Sequence, residues 1–235
     1  DMMFLLCRTE PDRPRHEGLS YLLVPMDAPG IEVRPLPTMT GHATFNEVYL
    51  TDVRVPLDAV VLGRGKGWQV ANVTLRHERL LLGDAAKLAH RLHRLRGLLE
   101  RTRVDGVPLI RMPQWRERLM RLQGEVLAMK CHQMRLLSEA AREQDPGLGL
   151  LVVKYAGTVL AWRLTALAVD ALGDAGLPYE PHDDVAEDDE PTTWYADHMY
   201  DLGLIIGGGS SNIQKNIIAE RGLGMPREPR PQGGA

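Results

Sequence analysis

Hydrophobic positions along the chain follow two different periods, and the change between them falls near residue 63. Ahead of it the pattern is short and alternating. Met2 to Arg8 reads as a strand, residues 11–18 as a polar loop, and Leu19 to Pro25 as a second strand. The Pro29-Gly30 turn leads into Ile31-Glu32-Val33-Arg34, which alternates with period two, and Phe45 to Leu50 and Val53-Arg54-Val55 complete a β-rich stretch. After Gly63-Arg64-Gly65-Lys66-Gly67-Trp68 the period lengthens to about 3.6, so that everything beyond looks helical. Ala85, Leu88, Ala89, Leu92, Leu95 and Leu99 share one helix face, and Trp115, Leu119, Leu122, Val126, Met129 and Leu136 make a near-heptad stripe on a second helix. Such stripes are core far more often than cofactor contacts. A third helix, residues 150–172, is apolar on nearly every side and belongs in the middle of a bundle, separated from the second by Asp145-Pro146-Gly147. Residues 180–190 hold seven acidic residues and read as a solvated loop before a short helix at 194–204.

Composition adds boundaries to this picture. With 235 residues, 44% hydrophobic and 25% charged, the chain has the material for a sizeable core, and a formal charge of −3 exerts no global pull toward nucleic acid or an anionic membrane. No apolar run is expected to span a bilayer. Cys7 and Cys131 are too few for a disulfide framework and are read as buried, inert thiols; with no signal segment at the start, a reducing cytoplasm is the expected compartment. His90 and His93 lack the companions of a metal site, so none is expected. The nine arginines from Arg91 to Arg121 read as a solvated helix face plus a phosphate contact, because aromatic stacking partners are scarce. Neither a nucleophile elbow nor a P-loop is present.

Chemistry enters with the run Gly207-Gly208-Gly209-Ser210-Ser211-Asn212-Ile213-Gln214 and its continuation to Pro226. Three glycines let the backbone approach a ligand closely, and Ser210, Ser211 and Asn212 offer a helix cap whose free N–H groups suit a nucleotide anion. This run resembles the terminal flavin-binding helix of the acyl-CoA dehydrogenase family. Met39-Thr40-Gly41, Phe45-Asn46-Glu47-Val48 and Asp52-Val53-Arg54-Val55-Pro56 resemble the second half of that family's middle β-domain. The resemblance covers the chain up to Arg227 and implies an α+β fold. In it, residues 1–62 form part of a β-barrel or sheet domain, 63–227 a C-terminal helical bundle, and 228–235 a tail. It also implies a tetrameric flavoenzyme that removes the α and β hydrogens of an acyl-CoA thioester and passes electrons from FAD to electron-transfer flavoprotein. The strand that opens the chain has no element ahead of it, so the family's N-terminal half is expected on a preceding segment or on another polypeptide.

Dehydrogenation next to a thioester needs a carboxylate base, best partly desolvated so that its pKa rises toward the working pH. The commoner family pattern places that base immediately before Gly-Thr-Ser, where this chain has Gly208. A second pattern, similar to the isovaleryl- and long-chain-type enzymes, carries it in Leu-x-x-Glu-Arg on the first helix of the helical domain, matched by Leu75-Arg76-His77-Glu78-Arg79-Leu80. Glu78 is therefore the candidate base, against the plain alternative of a solvated helix glutamate, and Arg79 is a candidate for the substrate side or for a structural ion pair. The vacancy at Gly208 also fits a non-catalytic subunit of a heteromeric enzyme that helps to hold FAD. For FAD, the resemblance implies Arg101, with Arg103 as the alternative, reaching the nucleotide of a neighbouring subunit, and Gln114 close by. It further implies Gly173 in the loop before the final helices, and Gly208, Gly209, Ser210 and Asn212 at the last helix, where ordinary capping is the competing account.

Overall fold

Strand β1 (Met2–Arg8) pairs antiparallel with β2 (Leu19–Pro25), placing Leu5 opposite Leu22. The alternation seen in sequence is the physical one, since Met3, Leu5 and Cys7 turn to the better-covered side while Phe4 and Leu6 are exposed. A second antiparallel pair joins β3 (Ile31–Leu36) to β4 (Phe45–Leu50). The computed structural model describes residues 1–144, 147–176 and 191–227, without the side chains of residues 76–80 and 191–192. The expected separators at Asp145 and Pro146, the acidic loop at 180–190 and the tail at 228–235 lie outside the described residues.

The strands of the β-rich part form two separate two-stranded sheets, and one expectation for this part needs correcting. Val53-Arg54-Val55 is not a strand: Asp52 turns the chain at a positive φ of 51°, and Pro56 has no N–H to offer a ladder. Helix α1 (Gly67–Leu82) follows. The chain divides into two compact units, Asp1–Glu78 and Arg79–Ala235, so most of α1 belongs with the strands. Within that first unit His16 stacks on Trp68 at 4.0 Å, and the Tyr21 hydroxyl lies 3.4 Å from that of Thr74.

The second unit is built on α2 (Ala85–Arg101), α3 (Pro113–Ala141), α4 (Gly149–Leu172), α5 (Pro191–Ile206) and α6 (Ser211–Gly222). Asp84 caps α2 by accepting the Ala86 N–H at 2.8 Å, and Gln133 of α3 bridges the turn before it, donating to the Gly83 carbonyl and accepting from the Ala85 N–H, both at 2.9 Å. Most of the two stripes read from sequence forms the core: Leu88, Leu95 and Leu99 on α2, with Leu119, Leu122, Val126, Met129 and Leu136 on α3, are buried together with Leu160, Leu164 and Leu167 of α4, whereas Ala89 of the first stripe is exposed. Not everything past residue 63 is helical. Arg103–Val104 (β5) and Val107–Pro108 (β6) make a hairpin turned by Asp105 and Gly106 at φ values of 50° and 78°, and Asp-Gly is the sequence signal for such a turn.

Helix α4 packs against α2, α3, α5 and α6. By length and composition alone, Gly149–Ala175 is apolar enough to cross a membrane, which corrects the expectation that no run is long enough. Its apolarity is spent on the bundle interior instead: Val153, Leu164 and Ala168 have no exposed surface. The cysteines also depart from expectation, because Cys131 is exposed on α3 and Cys7 only half-buried.

Candidate active site

The glycine turn is held by its own backbone geometry and by two buried side chains. Gly208 and Gly209 adopt positive φ values of 65° and 96°, a region that costs any residue with a Cβ. Ser210 then caps α6, its hydroxyl accepting the Ile213 N–H at 3.4 Å. A Cβ added to Gly208 would lie 2.5 Å from Cδ1 of Leu82 and 3.8 Å from Cε of Lys154. Lys154 of α4 donates from Nζ to the carbonyls of Ile205 at 3.0 Å and Gly209 at 2.7 Å, while Gln214 donates from Nε2 to those of Gly208 at 3.2 Å and Gly209 at 3.4 Å. Asn212 is exposed on the first turn of α6. Sequence reasoning missed Lys154 and Gln214; a lysine inside a predominantly apolar helix was the signal.

Family models of known proteins recognise residues 65–223 as "Acyl-CoA dehydrogenase, C-terminal domain". The chain belongs to the acyl-CoA dehydrogenase family. Acyl-CoA dehydrogenase IpdE1 of Mycobacterium tuberculosis is 39% identical over 231 residues, covering 97% of this chain and 56% of that protein. Among solved structures, the Tcur3481-Tcur3483 steroid ACAD superimposes with a TM-score of 0.82 at 26% identity, over 97% of this chain and 57% of that one. The ChsE4-ChsE5 complex of Mycobacterium tuberculosis follows with a TM-score of 0.80 at 29% identity, over 97% and 58%. The chain thus spans a little over half the length of each of these three.

In this acyl-CoA dehydrogenase family chain, the residues expected from sequence at FAD fall into two groups. Leu82 touches position 208, and Gly83 lies against Val153 and Gly157, so the start of α2 and the first turns of α4 sit beside the glycine turn. Arg101 ends α2, about 25 Å away at 1.5 Å of rise per residue, and Gly173 ends α4, about 29 Å beyond Lys154 on the same measure. The Arg118–Asp170 ion pair brings the start of α3, with Gln114, to that same far end. Arg103 stands in β5 and donates from Nη1 to the Gly106 carbonyl at 3.0 Å. Gly173 caps α4 at φ 53°, with Asp174 exposed after it. Glu78 and Arg79 occupy the last turns of α1, and their side chains lie outside the described residues.

A polar cluster that sequence did not announce lines a cleft of about 610 Å³ bordered by Leu82, Leu88, Arg91, Tyr200 and Leu204. Arg91 of α2 grips Asp201 of α5 with bonds of 3.0 and 2.9 Å, and the Thr165 hydroxyl of α4 donates to the same carboxylate at 3.1 Å. Only 1% of the Asp201 side chain is exposed, and burial pushes its pKa up from 3.8 to about 6 against the opposing pull of Arg91. A raised carboxyl pKa means the folded chain holds this proton more tightly than the unfolded one. The stability it contributes is therefore full below about pH 4 and lost as pH rises through about 6, by on the order of 3 kcal/mol. Asp201→Asn mimics the protonated form. Its unfolding free energy in urea, compared with wild type, is expected to gain steadily between pH 4 and 7; parallel pH profiles would refute the assignment.

Proposed function

We propose that this chain is the carboxy-terminal part of an FAD-dependent acyl-CoA dehydrogenase, taking hydrogens from the α and β carbons of an acyl-CoA thioester with Glu78 as the base. FAD, when bound, supplies the two-electron acceptor, and electron-transfer flavoprotein is the partner that carries the electrons away. The observation that carries the reading is Gly208. The commoner position for the base holds a residue with no side chain, in a left-handed conformation, with Leu82 filling the adjoining space. One carboxylate suffices for proton removal, and the Leu-x-x-Glu-Arg order on α1, which matches the family's second pattern, supports Glu78 in that role.

The residues present suit the nucleotide of a flavin. A Cβ at Gly209 would lie 2.4 Å from Nε2 of Gln214, so only glycine lets this side chain pack on the turn, and the 12-residue helix α6 presents its capped N-terminus, with Ser210 and Asn212, to an anion. Gly208, Gly209, Ser210 and Asn212 would hold one flavin nucleotide. Arg101, with Arg103, Gln114 and Gly173 at the other end of the bundle, would serve the nucleotide of a second copy or partner chain, which accounts for their distance from the glycine turn. Arg79 is the residue we place on the substrate side. A second reading is supported by the likeness to chains of two-component assemblies such as the ChsE4-ChsE5 complex: a subunit that helps to hold FAD while its partner supplies the base.

Flavin absorbance distinguishes the two. The protein assembled with the N-terminal portion that its relatives have, on the same or another polypeptide, is expected to bleach on adding one of a panel of straight, branched and steroid-type CoA thioesters, the last prompted by the steroid ACAD it resembles. No bleaching across the panel would reject the catalytic reading in favour of the subunit.

A further inference from the structure

The amine of Lys154 ends among backbone carbonyls, with none of the residue exposed to solvent. Taking an ammonium out of water is costly unless its hydrogen bonds are made, and burial lowers the pKa of this group from its ordinary value. A leucine or methionine would fill the same space in this mostly apolar helix without that cost. What the amine does is hold two carbonyls, of Ile205 and Gly209, at 3.0 and 2.7 Å. Gln214, 1% exposed, holds the Gly208 carbonyl and shares that of Gly209.

Peptide geometry gives these bonds a consequence on the opposite side. The peptides are trans and planar, so when the carbonyls of Gly208 and Gly209 point at Lys154 and Gln214, the N–H groups of Gly209 and Ser210, in the same two planes, point the other way. Successive residues at φ 65° and 96° would otherwise exchange among several conformations. We infer that Lys154 is a positioning residue: with Gln214 it locks the glycine turn so that the Gly209 and Ser210 N–H groups form a fixed donor pair facing away from the core. That the pair meets the flavin nucleotide rests on the dehydrogenase reading; that the turn is locked does not.

Lys154→Met in the assembled protein tests both parts. Amide hydrogen exchange of residues 206–212 is expected to speed up at least tenfold, with exchange in the interior of α4 changed less than twofold, and FAD affinity measured by flavin fluorescence is expected to fall about tenfold. Lys154→Gln, which keeps one donor, should recover part of both. If Lys154→Met does not fold, Gln214→Leu is expected to produce a local rise in the same residues, because it frees the Gly208 carbonyl and removes one of the two donors to that of Gly209. Unchanged exchange in residues 206–212, or an equal rise throughout the bundle, would overturn the inference. A wild-type protein that oxidises no thioester, while Lys154→Met still loosens the turn, would defeat the dehydrogenase reading and leave this one standing.

Discussion

Replacing Glu78 by glutamine is expected to lower turnover of the assembled protein by about 10³-fold, within the range for loss of a positioned general base, with KM little changed. Glutamine preserves the shape and hydrogen-bonding length of the side chain and removes only its capacity to take a proton. Binding of the thioester, which depends on the rest of the pocket, should survive. The size of the effect follows from the absence of a substitute at the family's other base position, where Gly208 has no side chain and Leu82 occupies the space one would enter. Stopped-flow measurement of flavin reduction reads the chemical step alone. Reduction by Glu78→Gln at the wild-type rate would show that proton removal belongs to another group, and the proposed mechanism would fall.

Gly157→Ala should destabilise the helical unit by about 3 kcal/mol, at the upper end of the cost of overpacking, where the helix propensities alone predict a gain of up to about 1 kcal/mol. Gly157 sits in the middle of α4 with the turn before α2 against it: an added Cβ would lie 2.5 Å from Cα of Gly83. The obstacle is backbone, which cannot rotate aside as a side chain would. Gly83 is itself pressed against the backbone of Val153, so it has nowhere to retreat. Gly124→Ala provides the contrast, since Gly124 is exposed on α3 with nothing near its added Cβ, and there the propensity gain should appear. Urea unfolding midpoints of the two variants should move in opposite directions. A shift of Gly157→Ala toward greater stability would mean that the close approach of α4 to the α1–α2 turn does not exist.

Much of the helical unit was legible because an amphipathic helix declares its buried face locally. Leu88, Leu95 and Leu99, and Leu119, Leu122, Val126, Met129 and Leu136, were grouped by spacing alone, and they are the residues that meet in the core. Residues 150–172 announced a central helix by lacking a polar face, and α4 is that helix. The β-rich part was less transparent. Short alternating runs say that a strand exists but not which strands join one sheet, and here β1–β2 and β3–β4 remain separate pairs. The hairpin at Asp105-Gly106 was missed because two-residue strands give the period nothing to act on.

The candidate site divides in the same way. Glycine at 208 and 209, the cap at Ser210 and the glutamate at 78 are properties of single positions and their near neighbours, and the sequence alone determined them, along with the family to which they point. Lys154 meeting Gly209 across 55 residues, and Arg91 meeting Asp201 across 110, were decided by the tertiary structure. Local pattern says which face of each helix is apolar. Which polar groups are carried into the interior with that face, and which partners wait for them there, depends on how α2, α4 and α5 pack, and that is settled by the summed fit of the whole core rather than by any segment of it.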